Sequence, residues 1–209
     1  MHAADWYFDF ISPYSWLALV RLDELPADLK IRHHPVLFAG LLEHWGQKGP
    51  AEIAGKRVWT YRSCAWWAAR YGVSFRMPAA HPFNSLPYLR LAIAADADPA
   101  AIRRIFEALW TTAADPADPA LVDGLAAELG IDPGRLAAAD VKDRLRRNTE
   151  EAVQRGVFGV PTLVIDGEPF WGADAIDFAR DFLADPSILR TPEMRRIGDL
   201  PVAANRRPR

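Results

Sequence analysis

The sequence has strand signals only near its two ends, and a long helical stretch separates them. Both ends carry short apolar or alternating runs, whereas residues from about 51 to 156 carry apolar positions at helical spacing. The predicted elements of the two ends are strand 4–10, helix 14–26, strand 29–37, strand 160–165, strand 169–171 and helix 174–184. Neither end holds enough strands for a stable sheet, so the fold must bring both ends together.

Asp-Pro pairs mark helix starts within the middle stretch. Aspartate is a favoured N-cap residue, and proline suits the first helical position. The predicted starts and helices are Asp98-Pro99, Asp118-Pro119, Asp132-Pro133, helix 56–71, helix 88–95 and helix 140–155. Glycine ends three of these helices, at Gly72, Gly130 and Gly156.

This order of elements favours a thioredoxin-like α/β domain with an all-helical insertion. The first two strands are joined by a helix, which implies a parallel pair with a right-handed crossover. Asp166-Gly167 between the two late strands is typical of a hairpin turn. We predict that 1–45 and 157–209 form the thioredoxin-like domain and that 46–156 form the insertion.

Composition disfavours several classes of function. The 209 residues carry a formal net charge of −2, which gives no basic footprint for nucleic acid or an anionic membrane. No apolar run approaches the roughly 18 residues that span a membrane, and acidic Asp5 stands where a signal peptide would be basic. We therefore expect a cytoplasmic protein without nucleic-acid or membrane partners. Its tail, from Asp185 to Arg209, is expected to be extended over the surface or mobile.

Cys64 is the only cysteine, so the chain can form neither an internal disulfide nor a Cys-x-x-Cys redox pair. It lies among aromatic residues in a predicted helix, and we expect a packed, unreactive thiol. The five histidines show no spacing typical of paired metal ligands, and His33-His34 lies in a strand-like run. No metal site is predicted.

Ser12-Pro13-Tyr14-Ser15 lies where the first predicted strand turns into the first helix. Backbone N–H groups at such a turn lack intrahelical partners, and the helix dipole is positive there, so an anion such as a thiolate is stabilised. Ser12 also suits a plain N-cap, and Ser15 suits an ordinary helix position. A serine hydrolase is disfavoured because no Gly-x-Ser-x-Gly motif is present.

A second segment, Phe158-Gly159-Val160-Pro161-Thr162, places a proline at the start of a predicted strand. In a thioredoxin-like fold this proline is expected to be cis and to face the Ser12 turn. A cis X-Pro bond costs only about 0.5–1 kcal/mol relative to trans. The backbone groups of Val160 would then be free to pair with an extended ligand.

Three segments, at 8–15, 159–162 and 170–174, resemble those of 2-hydroxychromene-2-carboxylate isomerases and kappa-class glutathione transferases. Both belong to the DsbA-like branch of the thioredoxin superfamily. The resemblance spans about residues 5 to 185. It implies glutathione as the cofactor, a small aromatic substrate and a homodimer.

The resemblance also implies roles for individual residues in glutathione binding. Ser12 maps onto the serine that holds the glutathione sulfur as thiolate. Val160 maps onto the residue whose backbone pairs with the cysteinyl part. Ala173 and Asp174 map onto the segment that holds the γ-glutamyl carboxylate and amine.

Gln47 and Lys56 map onto an asparagine and a lysine that also contact glutathione in this family. Three positions depart from the family pattern. Gln47 keeps the amide but lengthens its reach, and Ala173 offers only its backbone N–H. Ser63-Cys64 replaces a common Asp-Leu pair.

The predicted function is that of a glutathione-dependent isomerase. The thiolate would add to an unsaturated aromatic keto acid, a single bond would rotate, and elimination would release the isomer. The substrate pocket is expected between Ser12 and the insertion, near Tyr14, Trp45 and Asn84. Two alternatives stay open: a kappa-like glutathione transferase, and a non-redox binding protein on a DsbA-like scaffold.

Overall fold

The computed structural model describes residues 3–204 as a four-stranded sheet with helices around it. The strands are β1 (Ala3–Phe8), β2 (Lys30–Pro35), β3 (Thr162–Ile165) and β4 (Glu168–Trp171). The helices are α1 (Pro13–Arg21), α2 (Phe38–His44), α3 (Ala54–Tyr71), α4 (Leu86–Ala94), α5 (Pro99–Trp110), α6 (Pro119–Glu128), α7 (Ala139–Gln154), α8 (Ala175–Ala184) and α9 (Pro192–Gly198). Short 3₁₀ helices lie at Leu22–Glu24, Pro50–Glu52, Pro133–Ala137 and Pro186–Arg190. No helix in the described range is long and apolar enough to cross a bilayer.

The sheet has the strand order β2-β1-β3-β4 and therefore uses both ends of the chain. β1 and β2 are parallel, with Ala3 opposite Lys30 and Phe8 opposite Pro35. β3 runs antiparallel to both β1 and β4. The crossover through α1 and the β3–β4 hairpin confirm the predicted thioredoxin-like α/β arrangement.

Alternate side chains of β1 enter two different buried clusters, because successive residues of a strand point to opposite faces. Trp6 and Phe8 are fully buried and stack with ring centroids 4.4 Å apart. Phe106 of α5 packs against both rings. The limits of the helical insertion stay a prediction, because this core is shared between the sheet and the helices.

The C-terminal segment is not extended as predicted. It forms the 3₁₀ helix at Pro186–Arg190 and then α9, whose N-cap Thr191 accepts a hydrogen bond from a backbone N–H. Asp185 and Thr191 each precede a proline, so both helices begin with the signals seen at the earlier helix starts. The arginine-rich end at 205–209 lies outside the described residues.

Asp5 on β1 is a buried carboxylate that connects three elements. Its oxygens lie 2.7 Å from Nε and Nη2 of Arg32, 2.7 Å from Nε2 of His34 and 2.9 Å from Nη1 of Arg155. Burial alone would raise the pKa of Asp5, but Arg32 and His34 bring it below its ordinary value. Arg155 directly follows α7, so this ion cluster holds α7 against the sheet.

We predict that Asp5→Asn lowers the free energy of unfolding by about 1–3 kcal/mol at neutral pH, because hydrogen bonds to a charged group are lost. A depressed folded-state pKa means that the carboxylate stabilises the fold above the unfolded-state pKa of about 3.9. That stabilisation is lost as the pH falls from there through the folded-state pKa. In urea titrations, the free energies of unfolding of the wild type and of Asp5→Asn should become equal in acid. A difference that persists in acid would show that the Asp5 carboxylate is not the source of this stabilisation.

Candidate active site at the first strand-to-helix turn

Ser12 occupies the N-cap of α1, with φ −91°, ψ 115° and only 7 % of its surface exposed. Its hydroxyl oxygen accepts a hydrogen bond from the backbone N–H of Ser15 at 3.2 Å, which is the N-cap role considered above. The hydroxyl also donates to the carbonyl oxygen of Val160 at 3.4 Å. Capping and ligand binding are compatible, because the oxygen accepts from the helix and keeps its proton for another partner.

The segment that faces Ser12 is the loop before β3, and the Val160–Pro161 peptide bond is cis as predicted. The carbonyl of Pro161 accepts a hydrogen bond from the N–H of Gly172 at 3.0 Å, which joins the loop to the end of β4. The prediction that the backbone groups of Val160 are free is wrong for the carbonyl, because the Ser12 hydroxyl engages it.

Trp171 lies over the outer side of this loop. Its ring packs at an angle against Phe158 with centroids 5.1 Å apart, and the residue is 55 % exposed. Gly159 is so close that a Cβ there would lie 2.7 Å from the indole nitrogen. Glycine therefore permits the indole to cover the loop.

Ala173 and Asp174 form the turn between β4 and α8. Ala173 is buried, and its carbonyl accepts a hydrogen bond from Nη1 of the buried Arg21 at 2.9 Å. Asp174 is exposed at the N-cap position of α8 and makes no side-chain cap bond. Its carboxylate also forms no ion pair within residues 3–204, and a ligand can reach it.

Asp9, three residues before Ser12, is a buried carboxylate that the sequence motifs did not single out. Its Oδ1 accepts from the N–H of Ile11 at 3.1 Å, and its Oδ2 accepts from the N–H of Phe38 at 2.9 Å. The Ser85 side chain also lowers the pKa of this carboxyl. Burial raises the pKa of Asp9 to about 6, and these hydrogen bonds oppose the rise. Asp9 thus connects the turn to the starts of α2 and α4.

Two ring N–H groups from the helical stretch hold the carbonyls that precede Ser12. Nε1 of Trp110, at the end of α5, donates to the carbonyl of Phe10 at 2.9 Å. Nε2 of His81 lies 2.8 Å from the carbonyl oxygen of Ile11. These contacts join residues 100 and 70 positions apart, so no local motif signals them.

The three predicted pocket residues each make contacts of their own. The hydroxyl of Tyr14 lies 3.5 Å from Oγ of Ser63 on α3. Trp45 is 41 % exposed, and its Nε1 donates to the carbonyl of Val157 at 3.0 Å. Asn84 is exposed and accepts a hydrogen bond from a backbone N–H at the start of α4.

Gln47 and Lys56 are not hydrogen-bonded to the turn among the described residues. Both are exposed, and in the described part of the chain neither side chain is hydrogen-bonded to Ser12. Lys56 lies in the first turn of α3, seven residues before Ser63. Residues seven apart share a helix face, so Lys56 lies on the side of α3 that meets Tyr14.

Cys64 is fully buried in α3, and burial raises the pKa of its thiol to about 12. The thiol therefore stays protonated at neutral pH, as expected for a packed cysteine. Since Cys64 is the only cysteine of the chain, a thiolate at the Ser12 turn would have to come from a ligand.

Comparisons with known proteins agree with this architecture. A family model described as a DsbA-like thioredoxin domain matches residues 4–184. The chain is 31 % identical over 190 residues to 2-hydroxychromene-2-carboxylate isomerase of Sphingobium xenophagum, which covers 87 % of this chain and 97 % of that protein. It is 27 % identical over 204 residues to glutathione S-transferase kappa 2 of Caenorhabditis elegans, which covers 86 % and 91 %.

A solved structure of 2-hydroxychromene-2-carboxylate isomerase matches with a TM-score of 0.73 at 28 % identity, over 96 % of this chain and 100 % of that one. The chain belongs to the DsbA-like thioredoxin family and, within it, to the 2-hydroxychromene-2-carboxylate isomerase family, with kappa-class glutathione transferases as relatives. The resemblance inferred from the three motifs is thereby confirmed.

We predict a pH-dependent loss of stability that originates at Asp9. Its raised pKa means that the folded protein binds this proton more tightly than the unfolded chain, so the free energy of unfolding falls as the pH rises from about 4 to 6. The expected fall is roughly 3 kcal/mol, at about 1.4 kcal/mol for each pKa unit. Asp9→Asn, which cannot ionise, should lack it.

Urea titrations between pH 4 and 7 test this prediction. Asp28→Asn, at an exposed aspartate, is the matched control and should keep the wild-type fall. The assignment to Asp9 is wrong if Asp9→Asn and the wild type lose stability in parallel.

Proposed function

We propose that this chain binds glutathione and acts as a glutathione-dependent isomerase of an unsaturated aromatic keto acid. The observation that carries the proposal is the Ser12 hydroxyl, which lies at the N-terminus of α1 and 3.4 Å from the Val160 carbonyl beside cis-Pro161. The names of the relatives support it, since they are isomerases and kappa-class glutathione transferases.

The proposed role of Ser12 is to hold the glutathione sulfur as a thiolate. A free thiol has a pKa near 8.5, so only a few per cent is ionised at neutral pH. A hydrogen bond to a charged acceptor contributes about 1.5–3 kcal/mol, and a helix N-terminus contributes roughly 0.3–1 kcal/mol. Together they would lower the thiol pKa by about one to three units. The present contact with Val160 is long, so a thiolate is the better acceptor.

The remainder of glutathione is proposed to lie along the loop before β3 and the turn before α8. The backbone of Val160 would pair with the cysteinyl part, as an added strand does. Ala173 would offer its N–H to the γ-glutamyl carboxylate, since its carbonyl is already held by Arg21. The exposed carboxylate of Asp174, which has no ion-pair partner among residues 3–204, would receive the ammonium group. Gln47 and Lys56 are proposed as further contacts.

The proposed reaction uses glutathione as a reversible nucleophile. Its thiolate adds to the alkene carbon conjugated with the ketone, and the electron pair of the double bond moves onto the carbonyl oxygen as an enolate. The former double bond is now single and rotates. Collapse of the enolate re-forms the double bond and expels the thiolate, so glutathione is regenerated. Tyr14, Trp45 and Asn84 are the proposed walls of the substrate pocket.

The second candidate is a kappa-like glutathione transferase, which the kappa-class relatives favour. It would use the same thiolate and leave the sulfur attached to the acceptor. A non-redox binding protein would need neither the thiolate nor the tripeptide. We further propose a cytoplasmic homodimer, which cell fractionation and analytical ultracentrifugation would test.

We predict that Ser12→Ala lowers kcat/KM for the glutathione-dependent reaction at least about tenfold, because the thiolate loses a hydrogen bond worth more than 1.4 kcal/mol. Ser15→Ala is the matched control. Its hydroxyl is fully buried and has no hydrogen-bond partner in the described part of the chain, so its removal should leave activity unchanged. Full activity in Ser12→Ala would show that Ser12 does not stabilise the thiolate.

We predict that free glutathione is conserved during turnover of 2-hydroxychromene-2-carboxylate, because elimination returns the thiolate. Thiol titration before and after many turnovers measures this directly. A loss of one thiol per product formed would instead establish the transferase. If calorimetry detects no glutathione binding, both the isomerase and the transferase are contradicted, and the non-redox binding protein is the candidate that is left.

A further inference from the structure

We infer that His81 is a positioning residue for the Ser12 turn and that Tyr61 holds its ring in the required tautomer. This inference rests on the proposed role of Ser12 in thiolate binding. It adds a residue pair from the helical stretch that does not touch glutathione but sets the direction of the Ser12 hydroxyl.

His81 is in contact with the turn on one side and with α3 on the other. Its Nε2 lies 2.8 Å from the carbonyl oxygen of Ile11, and its Nδ1 lies 2.7 Å from the hydroxyl of Tyr61. The ring also packs against Tyr61, Phe83 and Trp110, with centroids 5.2, 5.9 and 5.7 Å away. The imidazole is therefore fixed in position on both edges and on its faces.

The hydrogen bonds define which nitrogen carries the proton. A carbonyl oxygen only accepts, so Nε2 must be the N–H that donates to Ile11. Burial lowers the pKa of His81, and the ring is neutral at physiological pH. Nδ1 is then an acceptor that faces the Tyr61 hydroxyl, whose single proton it shares with the backbone carbonyl oxygen of His81, 2.9 Å from that hydroxyl. Burial raises the pKa of Tyr61, which keeps that hydroxyl protonated.

The Ile11 carbonyl matters because it belongs to the peptide group that leads directly into Ser12. The N–H of Ile11 is held by the Asp9 carboxylate, and the N–H of Ser12 is held by the Asp9 carbonyl at 3.1 Å. The Ile11 carbonyl and the Ser12 N–H belong to the same peptide group, so the His81 bond holds one end of that group and the Asp9 carbonyl holds the other. Without the His81 bond the peptide plane is held at its N–H end alone, and it can tilt and carry the Ser12 Cα and hydroxyl away from the sulfur position.

The test compares His81→Phe, which keeps a ring but removes the donor, with His81→Gln, whose amide N–H can replace Nε2–H. The readout is the pKa of the thiol of bound glutathione, followed by the ultraviolet absorbance of the thiolate. We expect His81→Phe to raise that pKa by about one unit and to lower kcat/KM about tenfold. His81→Gln should restore most of the wild-type thiol pKa and most of the wild-type kcat/KM, which a purely structural role of the ring would not predict.

Tyr61→Phe provides a second test that leaves His81 in place. It should raise the same thiol pKa by a smaller amount, because the ring can then adopt the other tautomer. Wild-type thiol pKa values in both His81→Phe and Tyr61→Phe would overturn the inference and leave the proposed function standing. A wild-type protein that shows no bound thiolate would overturn the proposed function and this inference with it.

Discussion

The hydrogen bonds that fix residues 9–12 are the constraint on which the rest of the structure depends. Within this turn, the Asp9 carboxylate holds one N–H, and ring N–H groups of Trp110 and His81 hold the two carbonyls before Ser12. Asp9 lies in the turn itself, whereas Trp110 and His81 come from two distant places in the helical stretch. A buried backbone group that loses its partner costs about 1–3 kcal/mol, so the turn keeps its shape only while these elements stay packed.

This arrangement gives the two parts of the fold different tasks. The sheet uses both chain ends to set cis-Pro161 opposite Ser12. The helices inserted between those ends share the core through Phe106 and reach the turn directly. In the proposed function, the sheet domain would bind glutathione, and the helices would fix the angle of the serine hydroxyl and line the second-substrate pocket. Neither part forms the site alone.

Local signals predicted much of the fold, and long-range contacts account for what they missed. Asp98-Pro99 and Asp118-Pro119 start helices for reasons contained in the dipeptides themselves, and both helices form as predicted. The cis bond at Pro161 could be predicted because this proline stands at the start of a strand in a thioredoxin-like order of elements. Asp9 and His81 were missed, because burial and distant partners give them their roles. The two short helices of the C-terminal segment were missed, although Asp185 and Thr191 each precede a proline as the residues at the earlier helix starts do.

The most direct test of the central claim is a structure of the protein with bound glutathione. We expect the sulfur to lie within hydrogen-bond distance of the Ser12 hydroxyl, which has turned away from the Val160 carbonyl. We also expect the cysteinyl backbone to pair with Val160 and the γ-glutamyl group to lie at Asp174. Glutathione bound with its sulfur elsewhere, or an intact bond between the Ser12 hydroxyl and Val160 in the complex, would contradict it.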